Sequence, residues 1–226
     1  MTFAPAPHRE HSRDIRAVVF DLDGVLLDSE RITRVMWARA GKEYGIQDVE
    51  TAVRDCTGSS RPDQWAYLRN KYGNDFPAEE FRERCSELFH EHVDRHGLPL
   101  MPYSREILSY LEDRGYALAL ASSTNSATVR RELSDAGLLP FFRTVTCGDQ
   151  VLHSKPDPEI YIRACASIGV EPSACVSVED SPNGVRSAFS AGMICVMVPD
   201  QIQPTQEIER LLFRCCASLE ELKCFL

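Results

Sequence analysis

The stretch AVVFDLDGVLLDSE, residues 17–30, decides the fold of this chain. Its first four residues are apolar and run directly into two aspartates, Asp21 and Asp23, which are followed by Gly24 and a second apolar run after it. A continuous apolar run that ends in acidic residues is typical of a strand in a buried parallel sheet with a site beyond its carboxyl end. Carboxylates in such a place are unfavourable unless a cation or a proton compensates their charge.

The composition limits the class of protein. The chain has 226 residues, with 34 acidic against 25 basic side chains and a formal net charge of −9. That length is sufficient for one large domain or for a core with a smaller insert. The acidic balance argues against a nucleic acid or an anionic membrane as the main partner, and it leaves a small anionic substrate open.

Targeting signals and disulfides are not expected. Residues 1–13 lack the apolar core of a signal peptide, and no later stretch is long and apolar enough to span a bilayer, so we expect a flexible tail on a cytoplasmic protein. Nine cysteines occur without a C-x-x-C pair, which favours buried small hydrophobes in a reducing compartment over disulfides or zinc ligands. The histidines of HEHVDRHG (90–97) miss the H-E-x-x-H spacing and indicate a solvated helix end.

Short apolar runs rich in β-branched residues alternate with helical patterns over most of the chain. The predicted strands cover residues 15–20, 116–121, 144–147, 174–178 and 193–198. The intervening helices have recognisable starts, for example Asp157 as an N-cap followed by Pro158. Two of these helices have apolar stripes that include Tyr161 and Phe189. This alternation predicts right-handed crossovers and an α/β fold with a Rossmann-like, doubly wound and mostly parallel sheet.

The segment between the first two strands breaks this alternation. Residues 32–99 contain no convincing strand but show three helical stripes of apolar residues. An all-helical insert is the economical interpretation. The chain is therefore predicted to divide into a core of residues 14–31 and 100–226 and a helical cap of residues 32–99.

Polar side chains follow each predicted strand, and the carboxyl ends of parallel strands meet at one edge of a sheet. Besides the aspartates of the first strand, the residues expected at this edge are Ser122, Ser123, Thr124, Asn125, Lys155, Glu179 and Asp180. Taken one at a time, they could be turn residues, helix caps or solvated loop charges. Their common position favours a site.

The residue types at this edge favour phosphoryl transfer with Mg²⁺. This ion prefers oxygen ligands, which Asp21 and Asp180 provide, whereas no cluster of histidine and cysteine suits zinc. Lys155 would add positive charge, and Ser122 would add a hydrogen bond to the phosphate oxygens. Asp21 would be the nucleophile, and Asp23 would give a proton to the leaving alcohol and later take one from water.

Four motifs, in this order, resemble those of the haloacid dehalogenase superfamily, in particular its phosphatase and phosphomutase branch with a small helical cap, which contains β-phosphoglucomutase and phosphoglycolate phosphatase. The matching segments are DLDGVLLDSE (21–30), ALALASS (117–123), SKPDPEIY (154–161) and VEDSPNGVRSA (178–188). The second and third contribute Ser122 and Lys155 to the expected catalytic set. The resemblance covers nearly the whole chain from about residue 15 to about residue 200.

By this resemblance, Asp21 is the nucleophile and a magnesium ligand, and Asp23 is the acid/base residue that also ligates through its backbone carbonyl. Asp180 is a further metal ligand, and Glu179 either ligates directly or orients the water shell of the metal. Residues 32–99 are then a mobile cap that closes over the site and excludes bulk water.

Substrate contacts are expected from both parts of the chain. The cap segment CTGSSRPDQW (56–65) resembles the substrate loop of β-phosphoglucomutase relatives, in which an arginine at the position of Arg61 binds the distal phosphate or the sugar. The same residues could form only the entry to a helix. Ser123, Thr124 and Asn125 are the expected substrate contacts of the core.

The choice between hydrolase and mutase depends on one position. This chain has Thr33 where β-phosphoglucomutase has a cap histidine that helps to prevent premature hydrolysis. The difference favours hydrolysis of a small phosphate monoester, such as a sugar phosphate, by a monomer or a homodimer. A phosphomutase and a non-catalytic metabolite-binding protein of the same fold stay open, whereas dehalogenation would need neither magnesium nor the acids of the fourth motif.

Overall fold

The computed structural model describes residues 14–56 and 61–226. The predicted flexible tail, residues 1–13, and the centre of the predicted substrate loop, residues 57–60, lie outside the described residues. The strands are β1 Ala17–Phe20, β2 Ala117–Ser122, β3 Thr144–Cys147, β4 Cys175–Glu179, β5 Ile194–Met197 and β6 Arg214–Cys215. The helices are α1 Ser29–Glu43, α2 Val49–Cys56, α3 Arg61–Tyr72, α4 Ala78–His96, α5 Ser104–Asp113, α6 Ser126–Asp135, α7 Glu159–Ser167, α8 Pro182–Ser190 and α9 Gln206–Glu209.

In the described part of the chain, six strands form one sheet in the order β3-β2-β1-β4-β5-β6, and each neighbouring pair is parallel. β1 lies between β2 and β4, with Phe20 in register with Leu120 and Val178. The next residues of all three strands therefore reach the same edge of the sheet. The prediction of an α/β fold with a Rossmann-like parallel sheet is confirmed.

Helices cover the sheet on both faces. Val18 and Phe20 of β1 belong to a hydrophobic cluster with α5 and α6, whereas Ala17 and Val19 belong to a second cluster with α7 and α8. All four side chains are fully buried. This arrangement explains why the strands are continuous apolar runs rather than alternating ones.

The helices α1 to α4 lie between β1 and β2 in the sequence and share a third cluster. Trp37 of α1 meets Phe81 of α4 edge to face, with ring centroids 5.4 Å apart, and Leu68 and Leu88 are fully buried beside them. The division into a core and a cap with boundaries at residues 32 and 99 stays a prediction.

The two ends of this helical segment lie side by side. The N–H of Asp28 donates to the carbonyl of Pro99 at 2.9 Å, and the N–H of Met101 donates to that of Leu26 at 2.9 Å. Leu27 and Leu100 form an isolated antiparallel bridge between these bonds. The chain therefore leaves and re-enters the sheet region through one hydrogen-bonded junction.

Several local predictions differ from the structure. α7 begins at Glu159 with Pro158 as its N-cap, although Asp157 still accepts the N–H of Glu159 at 2.9 Å. Phe189, which was placed on an apolar stripe, is 50% exposed. The short helices α2 and α5 were not predicted. All nine cysteines lie in the described part of the chain and none forms a disulfide; seven are buried, but Cys215 and Cys224 are exposed.

Candidate active site

Lys155 is the centre of a buried ion-pair network at the carboxyl edge of the sheet. Its Nζ donates to Asp21 Oδ1 at 2.6 Å and to Glu179 Oε1 at 2.7 Å, and it also donates to the carbonyl of Ala121 at 3.0 Å. The Lys155 side chain is 8% exposed and that of Glu179 only 1%. One buried ammonium group thus connects the ends of β1, β2 and β4.

The carboxylate of Glu179 is held from several sides. Tyr161 of α7 donates its hydroxyl to Oε1 at 2.7 Å, and Ser181 donates its hydroxyl to Oε2 at 3.0 Å. The Ser181 hydroxyl also caps α8 by accepting the N–H of Gly184. A buried charge with these partners is well satisfied, so its position is defined by the fold.

The network holds more negative than positive charge. Burial raises the pKa of Asp21 to about 7, with added repulsion from Glu179, even though Lys155 lowers it. Burial also raises the pKa of Asp180 well above its usual range, with further repulsion from Glu179 and Asp21. Burial alone would lower the pKa of Lys155, but its two carboxylate partners raise it above the ordinary value, so the lysine stays charged. One ammonium group cannot neutralise three carboxylates.

Three of these acids lie close enough together to hold one cation. The ligand oxygens of Asp21, Glu179 and Asp180 lie within 4.8 Å of one another. Gly24 makes room for them, because a Cβ on this residue would lie 2.5 Å from Asp180 Oδ2 and its φ of +74° is one that favours glycine. The donors are all hard oxygen atoms, and their charge exceeds that of Lys155. These residues therefore fit a hard divalent cation such as Mg²⁺.

Asp23 has a different environment from Asp21. Ser29 donates its hydroxyl to Oδ1 at 2.6 Å, and Thr124 donates its hydroxyl to Oδ2 at 3.1 Å. Neither oxygen belongs to the cluster of cation ligands. Two neutral hydroxyl groups therefore orient this carboxyl group, and its acid/base role stays a prediction.

The remaining predicted site residues differ in their burial. Ser122 is fully buried at the end of β2 and accepts the N–H of Thr124 at 3.1 Å. Ser123 is exposed, and Asn125 is the N-cap of α6, where its side-chain oxygen accepts the N–H of Thr128 at 3.1 Å. Arg61 is exposed at the start of α3, in the helical segment. The structure thus brings the predicted core residues together at one edge, whereas the substrate contacts stay predictions.

Three contributors were not predicted from the sequence. Ser29 lies within the first motif, but only the structure shows its bond to Asp23. Tyr161 was placed on an apolar stripe as a core residue, and it is indeed buried, yet its hydroxyl binds Glu179. Gly184 could have been noticed as a glycine inside a helical pattern, which usually has a packing reason.

At Gly184, α8 packs directly against the buried carboxylate of Glu179. A Cβ at this position would lie 1.9 Å from Glu179 Oε1, and that carboxylate cannot move without breaking its bonds to Lys155 and Tyr161. We expect Gly184→Ala to lower the free energy of unfolding by about 1–3 kcal/mol or more, as overpacking does. Chemical denaturation measures the change. The exposed Ser190→Ala in the same helix is the control, and equal stability of both variants would contradict the expectation.

Glu132 is a buried acid that no predicted role uses. It lies on α6 with 6% exposure, and burial raises its pKa to about 7, with added repulsion from Asp23. Its ordinary pKa is 4.5, so between these two values the folded state binds more protons than the unfolded state. Because of this difference in proton binding, the free energy of unfolding falls as the pH rises through this interval. The full loss is reached above the pKa that Glu132 has in the folded state.

Glu132→Gln is therefore expected to stabilise the protein by about 1–3 kcal/mol near pH 8 and to have little effect near pH 4. Denaturation curves at the two pH values test this. Glu112→Gln, at an exposed position of α5, should change stability at neither pH. A Glu132→Gln variant whose stability gain is the same at both pH values would show that the charge is not responsible.

Comparison with known proteins gives the family. Residues 18–198 match the family described as haloacid dehalogenase-like hydrolase. The chain belongs to this family. The match covers β1 from its second residue, the strands β2 to β5 and all the residues of the predicted core site. The predicted membership is thereby confirmed, and with it the expectation of an enzyme of the hydrolase type.

Relatives of this haloacid dehalogenase-like hydrolase include named phosphatases. The chain is 33% identical to a phosphorylated carbohydrates phosphatase of Thermotoga maritima over 182 residues, which cover 79% of this chain and 82% of that protein. It is 30% identical to hexitol phosphatase B of Escherichia coli K12 over 195 residues, covering 83% and 85%. Among solved structures, a hydrolase of this family from Deinococcus radiodurans with bound phosphate and sodium has a TM-score of 0.79 and 27% identity and covers 94% of this chain and 95% of its own.

Over residues 14–56 and 61–226, no helix has both the length and the apolar character that crossing a bilayer requires.

Proposed function

We propose that this hydrolase is a magnesium-dependent phosphatase that cleaves a small phosphate monoester, such as a sugar phosphate, through an aspartyl-phosphate on Asp21. The observation that carries the proposal is the pairing of two carboxyl groups with different partners. Asp21 contacts Lys155 and lies beside two further acids, whereas the side chain of Asp23 accepts hydrogen bonds from the neutral hydroxyl groups of Ser29 and Thr124. The relatives named for phosphorylated carbohydrates and hexitols support the substrate class.

Asp21 acts as the nucleophile in this reaction. An oxygen of its carboxylate attacks the phosphorus atom, the bond to the leaving oxygen breaks, and the phosphoryl group is carried on Asp21. The N–H of Asp21 donates to the carbonyl of Val178 at 3.0 Å, so its backbone is fixed by the sheet. The nucleophile is therefore held on a rigid element, as in-line attack requires.

Asp23 moves the proton in both half-reactions. When protonated, it gives its proton to the leaving alcohol, and as a carboxylate it then accepts a proton from the water that attacks the aspartyl-phosphate. The second step releases inorganic phosphate and restores the Asp21 carboxylate. Ser29 and Thr124 keep the carboxyl group of Asp23 oriented during this exchange.

Lys155 and Ser122 interact with the transferred phosphoryl group. Lys155 is already buried next to Asp21 and would place its positive charge beside the phosphoryl oxygens, where charge of that sign stabilises the transition state. The Ser122 hydroxyl lies at the end of the neighbouring strand and can donate a hydrogen bond to the same group. Both residues act without a change in their covalent state.

Magnesium would be held by the carboxylates of Asp21, Asp180 and Glu179 and by the backbone carbonyl of Asp23. When bound, it supplies positive charge that neutralises the phosphoryl oxygens and the crowded acids. The negative charge of the three clustered carboxylates exceeds the positive charge of Lys155, and this excess supports the assignment. Removal of the metal with a chelator is therefore expected to abolish turnover, and added Mg²⁺ should restore it.

The helical segment supplies the substrate contacts in this proposal. The helices α1 to α4 act as the cap, which excludes water when it closes over the carboxyl edge of the sheet. Arg61 at the start of α3 contacts the part of the substrate that is distant from the scissile phosphate. Thr124 and Ser123 line the core side.

The deciding experiment is a phosphate-release screen over a broad panel of phosphorylated metabolites, with and without Mg²⁺. The proposal expects release from a subset of sugar phosphates, lost with chelator. Net conversion of a hexose 1-phosphate to its 6-phosphate with little phosphate release would show a mutase instead. Binding of a metabolite without any turnover would show a regulatory protein that retains the fold.

A further inference from the structure

The loop that follows β5 holds a buried carboxylate oxygen. Among the residues that the structure describes, Oδ2 of Asp200 is buried and has no hydrogen-bond partner, whereas Oδ1 accepts the side-chain N–H of Gln201 at 2.7 Å. Asp200 also forms no ion pair within residues 14–56 and 61–226. Buried polar atoms are almost always paired, so this oxygen requires an explanation.

Arg34 of α1 reaches the same loop from the helical segment. Its Nη1 donates to Oε1 of Gln201, the residue that also binds Asp200. A guanidinium carries several N–H donors in a planar fork that fits a carboxylate, yet Arg34 forms no ion pair in the described part of the chain. A donor with unused N–H groups and an acceptor without a partner are therefore joined through one glutamine amide.

The charge of Asp200 acts on the face of α1 that carries Arg34. Glu30 lies one turn before Arg34 on this helix. Its pKa is raised to about 7 by burial and by repulsion from Asp23 and Asp200, and Arg34 lowers it. Asp200 and Arg34 thus lie close enough to influence the same carboxyl group, and their opposite charges favour a direct pair.

A cavity separates this loop from the helical segment. Its volume is about 410 Å³, and its lining includes Arg34 on α1, Thr51 and Arg54 on α2, and Gln201 and Ile202 in the loop. Side chains from both sides line this space. They therefore have room to change partners without repacking a filled interface.

The position of Arg34 limits how far it can move. The helical segment joins the core at the hydrogen-bonded junction of Asp28 and Pro99, and Arg34 lies six residues from Asp28, about 9 Å along α1. A residue so close to a pivot moves only a short distance when the segment turns. A change of partner between the adjacent residues Gln201 and Asp200 is a movement of that size.

The loop begins at the catalytic edge of the sheet. The N–H of Val198, two residues before Asp200, donates to the carbonyl of Glu179 at 2.7 Å. The first residue of α1 is Ser29, whose hydroxyl binds Asp23 at 2.6 Å. A direct bond between Arg34 and this loop would therefore hold the start of α1 against Asp23.

A second contact between the helical segment and the core lacks these features. Arg131 of α6 donates to Asp94 of α4 at 3.2 Å, and their side chains are 44% and 62% exposed. An exposed pair of this kind contributes little free energy. Its two charges already face each other, so no partner is left to be exchanged.

We propose that Arg34 and Asp200 form a latch: when the helical segment closes over a bound phosphoryl group, Arg34 leaves Gln201 and pairs directly with Oδ2 of Asp200. The inference rests on the proposed phosphatase function with its closing cap. Arg34 and Asp200 are positioning residues, because they act through α1 and the loop and do not touch the phosphoryl group. Gln201 holds the guanidinium near its final partner before closure.

The test measures the affinity for inorganic phosphate by calorimetry, with the Mg²⁺-loaded full chain, so that it does not depend on turnover. A pair that forms only with ligand bound adds its free energy to binding. Asp200→Asn and Arg34→Met are each expected to weaken phosphate binding by about tenfold, and the double variant by no more than either alone. Gln201→Ala should not weaken binding, because it removes only the partner that Arg34 leaves.

The two single variants change the local charge in opposite directions. Electrostatics alone would make Asp200→Asn bind the phosphate anion more tightly and Arg34→Met less tightly. Weaker binding by both variants therefore identifies the pair itself. The controls are the exposed Arg39→Met on α1, Gln203→Ala in the loop and Arg131→Met at the second contact, which should all bind phosphate like the wild type.

The Nε–H signal of Arg34 in a ¹⁵N NMR spectrum, assigned with Arg34→Lys, reports the pair directly. Phosphate should shift this signal in the wild type and in Gln201→Ala but not in Asp200→Asn. If Asp200→Asn does not fold, Arg34→Met, at an exposed position, carries the affinity test.

Three results would overturn the latch: unchanged phosphate affinity in Asp200→Asn, an equally large loss in Gln201→Ala, or an Arg34 signal that phosphate leaves in place in the wild type. Absence of phosphate release from every ester, with the expected binding results intact, would reject only the phosphatase function.

Discussion

Asp21→Asn is expected to abolish phosphate release, with a loss of turnover of about 10⁴-fold or more, because it removes the attacking carboxylate of the proposed reaction. The amide can still accept the hydrogen bond that Lys155 donates to Oδ1, so the ion-pair network loses one charge but no contact. Turnover is measured by phosphate release with Mg²⁺ present. Acid quenching of the wild-type enzyme with labelled substrate should trap phosphate on the protein, and this label should be absent from the variant.

The control for this substitution is Asp28→Asn. Asp28 lies in the same stretch but pairs with the exposed Arg31, so its replacement should change turnover little. Full activity of Asp21→Asn would show that the nucleophile is another residue. Trapped label on a peptide without Asp21 would lead to the same conclusion.

Lys155→Met is expected to have the largest effect on stability. It removes the ammonium group that lies 2.6 Å from Asp21 and 2.7 Å from Glu179, and both carboxylates would stay buried without their counterion. Breaking a buried pair in this way lowers the free energy of unfolding by about 3–5 kcal/mol. Denaturation without added metal measures the loss.

The pH dependence of this loss has a definite direction. Asp21 already has a pKa raised to about 7, mainly by burial, and removal of Lys155 raises it further. The carboxyl group can therefore take up a proton in acid and escape the unpaired charge, so the loss should be larger near pH 8 than near pH 5. Lys71→Met, which breaks the exposed pair with Asp48, is the control and should change stability by about 1 kcal/mol or less. A similar small change for Lys155→Met would contradict the central role of this network.

Much of the fold could be predicted because the strands are buried on both faces. The run from Ala17 to Phe20 is apolar at every position, and the acids that follow it mark the carboxyl edge. The rule that ligands collect at this edge was sufficient to group Asp21, Lys155 and Glu179 without any knowledge of distances. Helix boundaries and the exposure of single side chains were harder to predict. Periodicity shows which face of a helix is apolar but not how far the neighbouring element covers that face, and Phe189 is an example.

The contacts within the site depend on side-chain direction, which a linear pattern does not contain. Tyr161 fits a hydrophobic stripe, and only the packing of α7 on one face of the sheet brings its hydroxyl to Glu179. Arg82 is one of several arginines on α4, and its stacking on Trp37 is visible only when the helices are assembled. Both residues combine an apolar body with a polar end, which explains why their type alone does not disclose their role.

The hydrogen-bonded junction between Leu26 and Met101 has a consequence for how the family can change. Because the helical segment begins and ends at neighbouring points, joined by the bonds from Asp28 to Pro99 and from Met101 to Leu26, its length and content do not affect the pairing of β1 with β2. We expect the segment to be exchangeable as a cassette between relatives, with a graft point at Asp28 and Pro99. We expect such a chimaera to have the substrate preference of the protein that supplied the helical segment and the hydrolytic chemistry of the protein that supplied the sheet.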